Sequence, residues 1–332
     1  MSVNVVYGTG SWGTTLALVL ARQATPVTLL ARSREEADAL ALAGENTRFL
    51  PGVPFPPALS VTSDAAVLAQ AEMLISAVPS SSLPAAMDQL APSLGASCVV
   101  VSGSKGLVET AAGAPRRPTE VISAVLPNPV CALSGPNLAR EVARALPSTT
   151  VVASRDPAAA EAVQRLFTDR SFRVYTSEDV VGVELAGALK NVVALAAGAA
   201  DGMQLGDNAK AALITRGLAE MSRLGRELGA EPLTFAGLAG LGDLVATCAS
   251  PLSRNRRLGE ALAAGRGLAE AQREIGQLAE GVPTTKAAVE LARHHSVDIP
   301  IAQQMHAVLF EGKDPRQAVL DLMQREPKAE LG

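Results

Sequence analysis

Residues 3–17 read VNVVYGTGSWGTTLA, and the order of residue types in this stretch decides the fold. Val3–Tyr7 is a short apolar run of the kind that forms a buried strand. Gly8, Gly10 and Gly13 follow in G-x-G-x-x-G spacing, and an apolar helical pattern begins without a break. Strand, glycine turn and helix in this order suit a dinucleotide. The first glycine makes the tight turn, the second lets the backbone approach a pyrophosphate, and the third lets helix and strand pack closely. The helix N-terminus then faces the phosphates. The alternative is an ordinary structural turn, but the position between strand and helix favours the dinucleotide site.

Outward from this loop, apolar runs at 27–31, 73–78, 98–102, 130–133 and 149–153 read as further buried strands separated by helical stretches. Such alternation predicts a parallel, doubly wound sheet covered by helices. Residues 46–59 carry Pro51, Pro54, Pro56 and Pro57 and read as a long surface loop. Strand signals stop near residue 180. Residues 184–228 are helical in pattern, with interruptions expected at Gly198, Gly202 and Gly206, and helices joined by Gly- and Pro-containing turns follow. The expected fold is α/β: an N-terminal Rossmann doubly wound parallel sheet over residues 1–180 and an all-helical C-terminal domain over 181–332. Ligands of open sheets sit beyond the strand carboxyl ends, so the active site is expected in the crevice between the two domains.

Composition excludes several function classes. The chain has 332 residues, enough for two cores, and is 48% hydrophobic. A net charge of −4 leaves no electrostatic footprint for nucleic acid or an anionic membrane. No apolar run is read as approaching the ~20 residues of a membrane span; the best candidate is 192–200. The N-terminus enters the first strand directly, without a signal-peptide pattern. Cys98, Cys131 and Cys248 are too few and too scattered for a disulfide framework or thiolate metal site. His294, His295 and His306 form no ligand pattern, and no metal is expected. A soluble, cytoplasmic protein is expected.

The dinucleotide's identity depends on the end of the second strand. An NAD site usually carries an acid there for the ribose 2′-hydroxyl. This chain has Arg32, Ser33 and Arg34, and no carboxylate before Glu35. A guanidinium binds a 2′-phosphate in forked geometry, so NADP or NAD is expected as cofactor, with NADP accepted. The alternative is that both arginines are merely solvated.

Four segments carry the remaining chemistry. In VSGSKGL, Lys105 lies just past a strand's carboxyl end. In LSGPNLAREV, Gly135 and Pro136 make a turn and Asn137 is placed to cap the next helix. Lys190 sits in the apolar helical run VELAGALKNVVALAAG, where burial lowers an ammonium's hold on its proton and suits acid/base work; a stem snorkelling to the surface is the structural alternative. In GLAGLGDLVATCASPLSRNRRLG, Asp243 is the only acid between Pro232 and Gly259, and Arg254 with Asn255 suits a terminal phosphate. An ordinary basic helix face is the alternative there.

Together GTGSWGTTLA, NTRFLPG, SGSKGL, SGPNLAREV, the KNV helix, GLGDLVATC…SRN and QLAEGVPT resemble the bacterial NAD(P)-dependent glycerol-3-phosphate dehydrogenases over nearly the whole chain. That resemblance implies cofactor contacts at Ser11, Trp12, Arg32, Lys105, Ala139, Arg254, Leu278 and Glu280, besides Gly8, Gly10 and Gly13. It implies substrate contacts at Lys105, Gly135, Asn137, Lys190, Asp243, Ser253, Arg254 and Asn255. Lys190 is then the proton donor and acceptor, with Lys105 and Asp243 beside it. A phosphorylated triose or glycerol substrate, a homodimer and a supply role in phospholipid synthesis are likewise implied. Asn137 replaces the family's common serine, and Leu30 stands where an aromatic residue is frequent. A hydroxy-acid or ketopantoate enzyme of the same two-domain group would want a carboxylate site, against which the SRN segment argues. A silent nucleotide sensor would not need Lys105, Lys190 and Asp243 together.

Overall fold

The computed structural model describes residues 3–110, 113–327, 329 and 330. Its strands are β1 (Val3–Tyr7), β2 (Val27–Leu30), β3 (Leu59–Thr62), β4 (Ala71–Ser76), β5 (Val99–Ser102), β6 (Val108–Thr110), β7 (Gly113–Arg116), β8 (Val130–Ser134), β9 (Ser148–Ser154) and β10 (Phe172–Ser177). Eight of them form one sheet in the order β10-β9-β8-β5-β4-β1-β2-β3, while β6 and β7 pair separately. Every pairing in the large sheet is parallel except β8 with β9. Val6 lies opposite Leu29 on one side and Ile75 on the other, and all three are fully buried. Strand order reverses at β1, which opens the crevice where a doubly wound sheet takes its ligand.

Two strands of the large sheet escaped the sequence reading because they lie at its edges. β10 alternates buried Phe172 and Val174 with exposed Arg173 and Tyr175, a period of two rather than an apolar run. β3 is four residues long and half solvated. The proline-rich segment before it is not wholly a surface loop. Glu45 bridges Pro54, and Asn46 and Leu50 are each 2% exposed. Asn46 Nδ2 donates to the Thr9 carbonyl and to Thr14 Oγ1, both at 2.8 Å, and so pins the glycine loop.

After β10 the described chain is helical. Val180–Gly202 runs unbroken for 23 residues, so Gly198 does not interrupt it as expected. It is also the one described helix long and apolar enough to cross a membrane, which corrects the expectation that no run approaches that length. Here 89% of its most apolar window is buried inside the protein. Leu185, Leu195 and Ala197 pack into a core shared with Leu244, Leu258 and Ala288, distinct from the sheet-side clusters around Leu18 and Leu74. Each fully buried leucine contributes about 2 kcal/mol. Glu184, on the same helix, accepts from the Thr119 amide at 2.8 Å and from Arg117 at 3.1 Å, tying it to the sheet side. Burial pushes this carboxyl up to about 7, although Thr119 and Arg117 pull it down.

Gly198 serves a crossing instead. A Cβ there would lie 1.8 Å from the Arg256 carbonyl oxygen, and one on Gly259 would lie 2.0 Å from that of Leu195. The Val180–Gly202 and Arg254–Ala263 helices thus meet backbone to backbone. Gly259→Ala is expected to cost about 3 kcal/mol or more, since the added methyl would meet the Leu195 carbonyl and the Ala199 amide nitrogen, backbone atoms that cannot turn aside. Urea unfolding reads this as a lower midpoint at unchanged slope; a loss below about 0.5 kcal/mol would mean the crossing has room to relax.

Candidate active site

The carboxyl ends of β1, β4, β5 and β8 face one cleft of about 400 Å³, closed on its far side by helices from the C-terminal region. The glycine loop forms its floor. Gly8 has φ +112°, and a Cβ on it would meet the Ala77 carbonyl oxygen at 2.9 Å. A Cβ on Gly13 would lie 1.9 Å from the Gly8 carbonyl oxygen, whereas one on Gly10 would touch nothing within 4 Å. The first glycine therefore lets the turn lie against the segment after β4, the third lets the helix close on the turn, and the second leaves backbone open to the cleft. Gly10 caps the Ser11–Arg22 helix without a side-chain bond, so its first amides remain available to an anion. Trp12 adds a buried indole N–H with no partner among the described residues. These features fit a pyrophosphate and its adjoining rings.

Opposite the loop, Asp243 is 2% exposed and joins two lysines. Its Oδ2 accepts from Lys105 Nζ at 2.9 Å, and its Oδ1 accepts from Lys190 Nζ in a short bond. Lys105 also donates to the Gly135 carbonyl at 2.8 Å, and Lys190 to Thr247 Oγ1 at 2.9 Å. An ammonium has three N–H groups, so each lysine keeps one for a ligand. Both line the cleft. Burial pulls the Lys190 ammonium down to about 8; Asp243 opposes this and Lys105 adds to it. Burial alone would raise the Asp243 carboxyl, but the two lysines outweigh it and hold it below its ordinary value. Local packing sets this geometry. Gly187, one turn before Lys190, lets the helix settle against Ser134 Oγ, 2.4 Å from where a Cβ would stand.

The other expected residues separate into those on the cleft and those behind it. Ser11, Trp12, Asn137, Ala139, Ser253, Arg254, Asn255, Leu278 and Glu280 line it. Arg32 does not, lying at the end of β2 with three-quarters of its side chain exposed (75%). Asn137 is not a helix cap, because the Ala139–Ala143 helix begins from Leu138 with no side-chain bond. Its amide instead spans β9, donating to the Thr149 carbonyl at 2.9 Å and accepting from Thr150 Oγ1 at 3.0 Å. Ser253 caps the Arg254–Ala263 helix by accepting from the Arg256 amide at 3.2 Å. Asn255 is more a strut than an open clamp. It donates to Asn191 Oδ1 at 2.8 Å and accepts from the Gly281 amide at 2.9 Å.

Sequence reasoning gave no role to several participants. Asn191 donates to the Lys105 carbonyl at 2.8 Å while accepting from Asn255, so one chain of amides joins β5's loop to two helices. Thr247 lies one helical turn after Asp243, a spacing that would have pointed to it. Ser80 clasps Glu280, which the resemblance had already named, through its amide at 3.0 Å and hydroxyl at 2.7 Å, across 200 residues of chain, a partnership no local pattern signals.

A switch-point cleft with an open glycine loop on one wall and a carboxylate-bridged lysine pair on the other places the chain among the NAD(P)-dependent oxidoreductases. Residues 3–160 match the N-terminal family described as NAD-dependent glycerol-3-phosphate dehydrogenase, and residues 179–320 match its C-terminal counterpart. Over its full length the chain is 48% identical to the glycerol-3-phosphate dehydrogenase [NAD(P)+] of Desulfitobacterium hafniense, covering 94% of that protein. It is 50% identical to that of Geobacter sulfurreducens, with 98% of each chain covered. The crystal structure of glycerol-3-phosphate dehydrogenase from Coxiella burnetii superposes with a TM-score of 0.94 at 41% identity, covering 98% of this chain and 99% of that one. The chain belongs to the NAD-dependent glycerol-3-phosphate dehydrogenase family.

Proposed function

We propose that the protein interconverts dihydroxyacetone phosphate and sn-glycerol 3-phosphate, with Lys190 as acid and base. The observation that carries this is the bridging of Lys105 and Lys190, both of which line the cleft that also holds the glycine loop, by the buried Asp243. When bound, the nicotinamide dinucleotide would supply hydride to the carbon that ceases to be a ketone in reduction and accept it from the carbon that becomes one in oxidation. Lys190 donates its proton to the carbonyl oxygen as negative charge develops there, and takes it back in the oxidation. Lys105 adds a second positive charge, which stabilises that oxygen and makes Lys190 more acidic. Asp243 orients both ammonium groups. Arg254 holds the phosphate end, and its binding energy positions the carbonyl. Asn255 and Asn191 keep the arginine's helix in register with the lysines. Gly8, Gly10, Ser11, Trp12, Gly13, Ala139, Leu278 and Glu280 are assigned to the cofactor.

The family likeness also supports a homodimer, a cytoplasmic location and a supply role in phospholipid synthesis. We assign residues 1–180 to the cofactor domain and 181–332 to the substrate domain, in keeping with the separate apolar clusters. The direct test is loss of nicotinamide absorbance with dihydroxyacetone phosphate, NADPH and NADH run in parallel. Oxidation that depends on the ketone is expected. None with either cofactor, in protein that binds both, would overturn the proposal.

The lowered Lys190 sets the pH dependence. Reduction needs the ammonium, so kcat/KM for the ketone should be level at neutral pH and fall as pH rises through about 8. Oxidation needs the free amine and should rise over the same interval. A reduction profile flat to pH 10 would show that another group gives the proton.

A further inference from the structure

Beyond the reaction itself lies the choice of cofactor, and the end of β2 holds a group that bears on it. β2 pairs with β1 up to Tyr7 and Leu30, and the Gly8 amide donates to the Leu30 carbonyl at 3.4 Å, so this end adjoins the glycine loop. The first turn of the Arg34–Ala43 helix sends Glu36 back into that corner. Its Oε1 accepts from the Thr9 hydroxyl at 2.5 Å, and its Oε2 accepts from the Arg32 amide at 3.3 Å. The Arg32 guanidinium is only loosely drawn to it, at 3.9 Å, and stays mostly in solvent.

We infer that Glu36 is a specificity-determining residue for the dinucleotide, supplying from the helix the acid that the end of β2 lacks. A carboxylate in this corner accepts hydrogen bonds from ribose hydroxyls and repels a 2′-phosphate. It also occupies an amide and a hydroxyl that such a phosphate would use. Arg32 attracts a 2′-phosphate and Glu36, 3.9 Å from that guanidinium, repels it, so the two together set the ratio. Thr9, 6% exposed and fixed through its carbonyl by Asn46, holds the carboxylate in place.

The test needs no turnover, so it stands or falls apart from the reaction proposed above. Trp12 is the only tryptophan and lines the cleft, so its fluorescence reports binding of NADH and NADPH directly. Glu36→Gln keeps the shape and removes the charge. The ratio of Kd for NADH to Kd for NADPH should rise about tenfold, and adenosine 2′,5′-bisphosphate should gain on adenosine 5′-monophosphate as a competitor. Glu36→Ala repeats the test with a second uncharged side chain. Arg32→Asp should move the ratio the other way, weakening NADPH far more than NADH. Thr9→Val keeps the charge and should leave the ratio within about twofold. A ratio unchanged in both Glu36 variants would overturn the inference. So would a shift in Thr9→Val as large as that in Glu36→Gln, since loop geometry rather than charge would then be responsible.

Discussion

Lys190→Ala should lower kcat for ketone reduction by about 10⁴-fold or more, combining the loss of a general acid with the loss of oxyanion stabilisation. Binding should be spared. The lysine is paired with Asp243 and Thr247, away from the glycine loop, so NADPH titrated against Trp12 fluorescence should give a Kd within about twofold of the parent. The fold should also survive, because Asp243 keeps Lys105 as its partner and is not left as a lone buried charge. A small primary amine added to the variant should restore part of the rate, with an apparent pKa set by the amine. A variant with near-normal kcat would remove Lys190 from the mechanism.

Asp243→Asn should be nearly as damaging for a different reason. The carboxylate is the main influence that raises the Lys190 pKa against burial and against Lys105. Without it, two ammonium groups would face each other in a site where Lys190 is 6% exposed, and the lysine sheds its proton instead. At neutral pH the proton donor is then largely absent. Reduction should fall by about 10²–10³-fold, and its descending pH limb should move down from about 8 toward lower pH. Partial recovery at pH 6 would mark Asp243 as a positioning residue acting through Lys190. An unmoved pH profile at a reduced rate would assign it a packing role only.

The parts of the site legible in the sequence were those whose chemistry is written locally. Gly8, Gly10 and Gly13 directly follow a five-residue strand and open a helix, and Lys190 is conspicuous because it interrupts an apolar run. Residues that act by meeting a distant partner were not legible. Ser80 finds Glu280 across 200 residues, and Asn191 finds Asn255 across 64; neither type is unusual in its own surroundings. Glu36 was hidden by a positional rule that looks for the acid at the strand end rather than on the next helical turn. Asn137 misled because its position before a helix suits a cap, while β9 offered its amide a better set of partners. The interior strands announced themselves as apolar runs. β10, half facing solvent, did not.

The Gly198–Gly259 crossing behaves as a ruler. Lys190 and Arg254 stand on the two helices that meet there, so the spacing between the proposed proton donor and the proposed anion holder is measured out in peptide groups. Side chains that pack between helices hop rotamers and swell with heat, whereas apposed backbones have almost nothing to compress. On the roles proposed for Lys190 and Arg254, any discrimination between a three-carbon phosphate and a longer or shorter homologue would reside in a distance that neither warming nor repacking of the surrounding core can readily change.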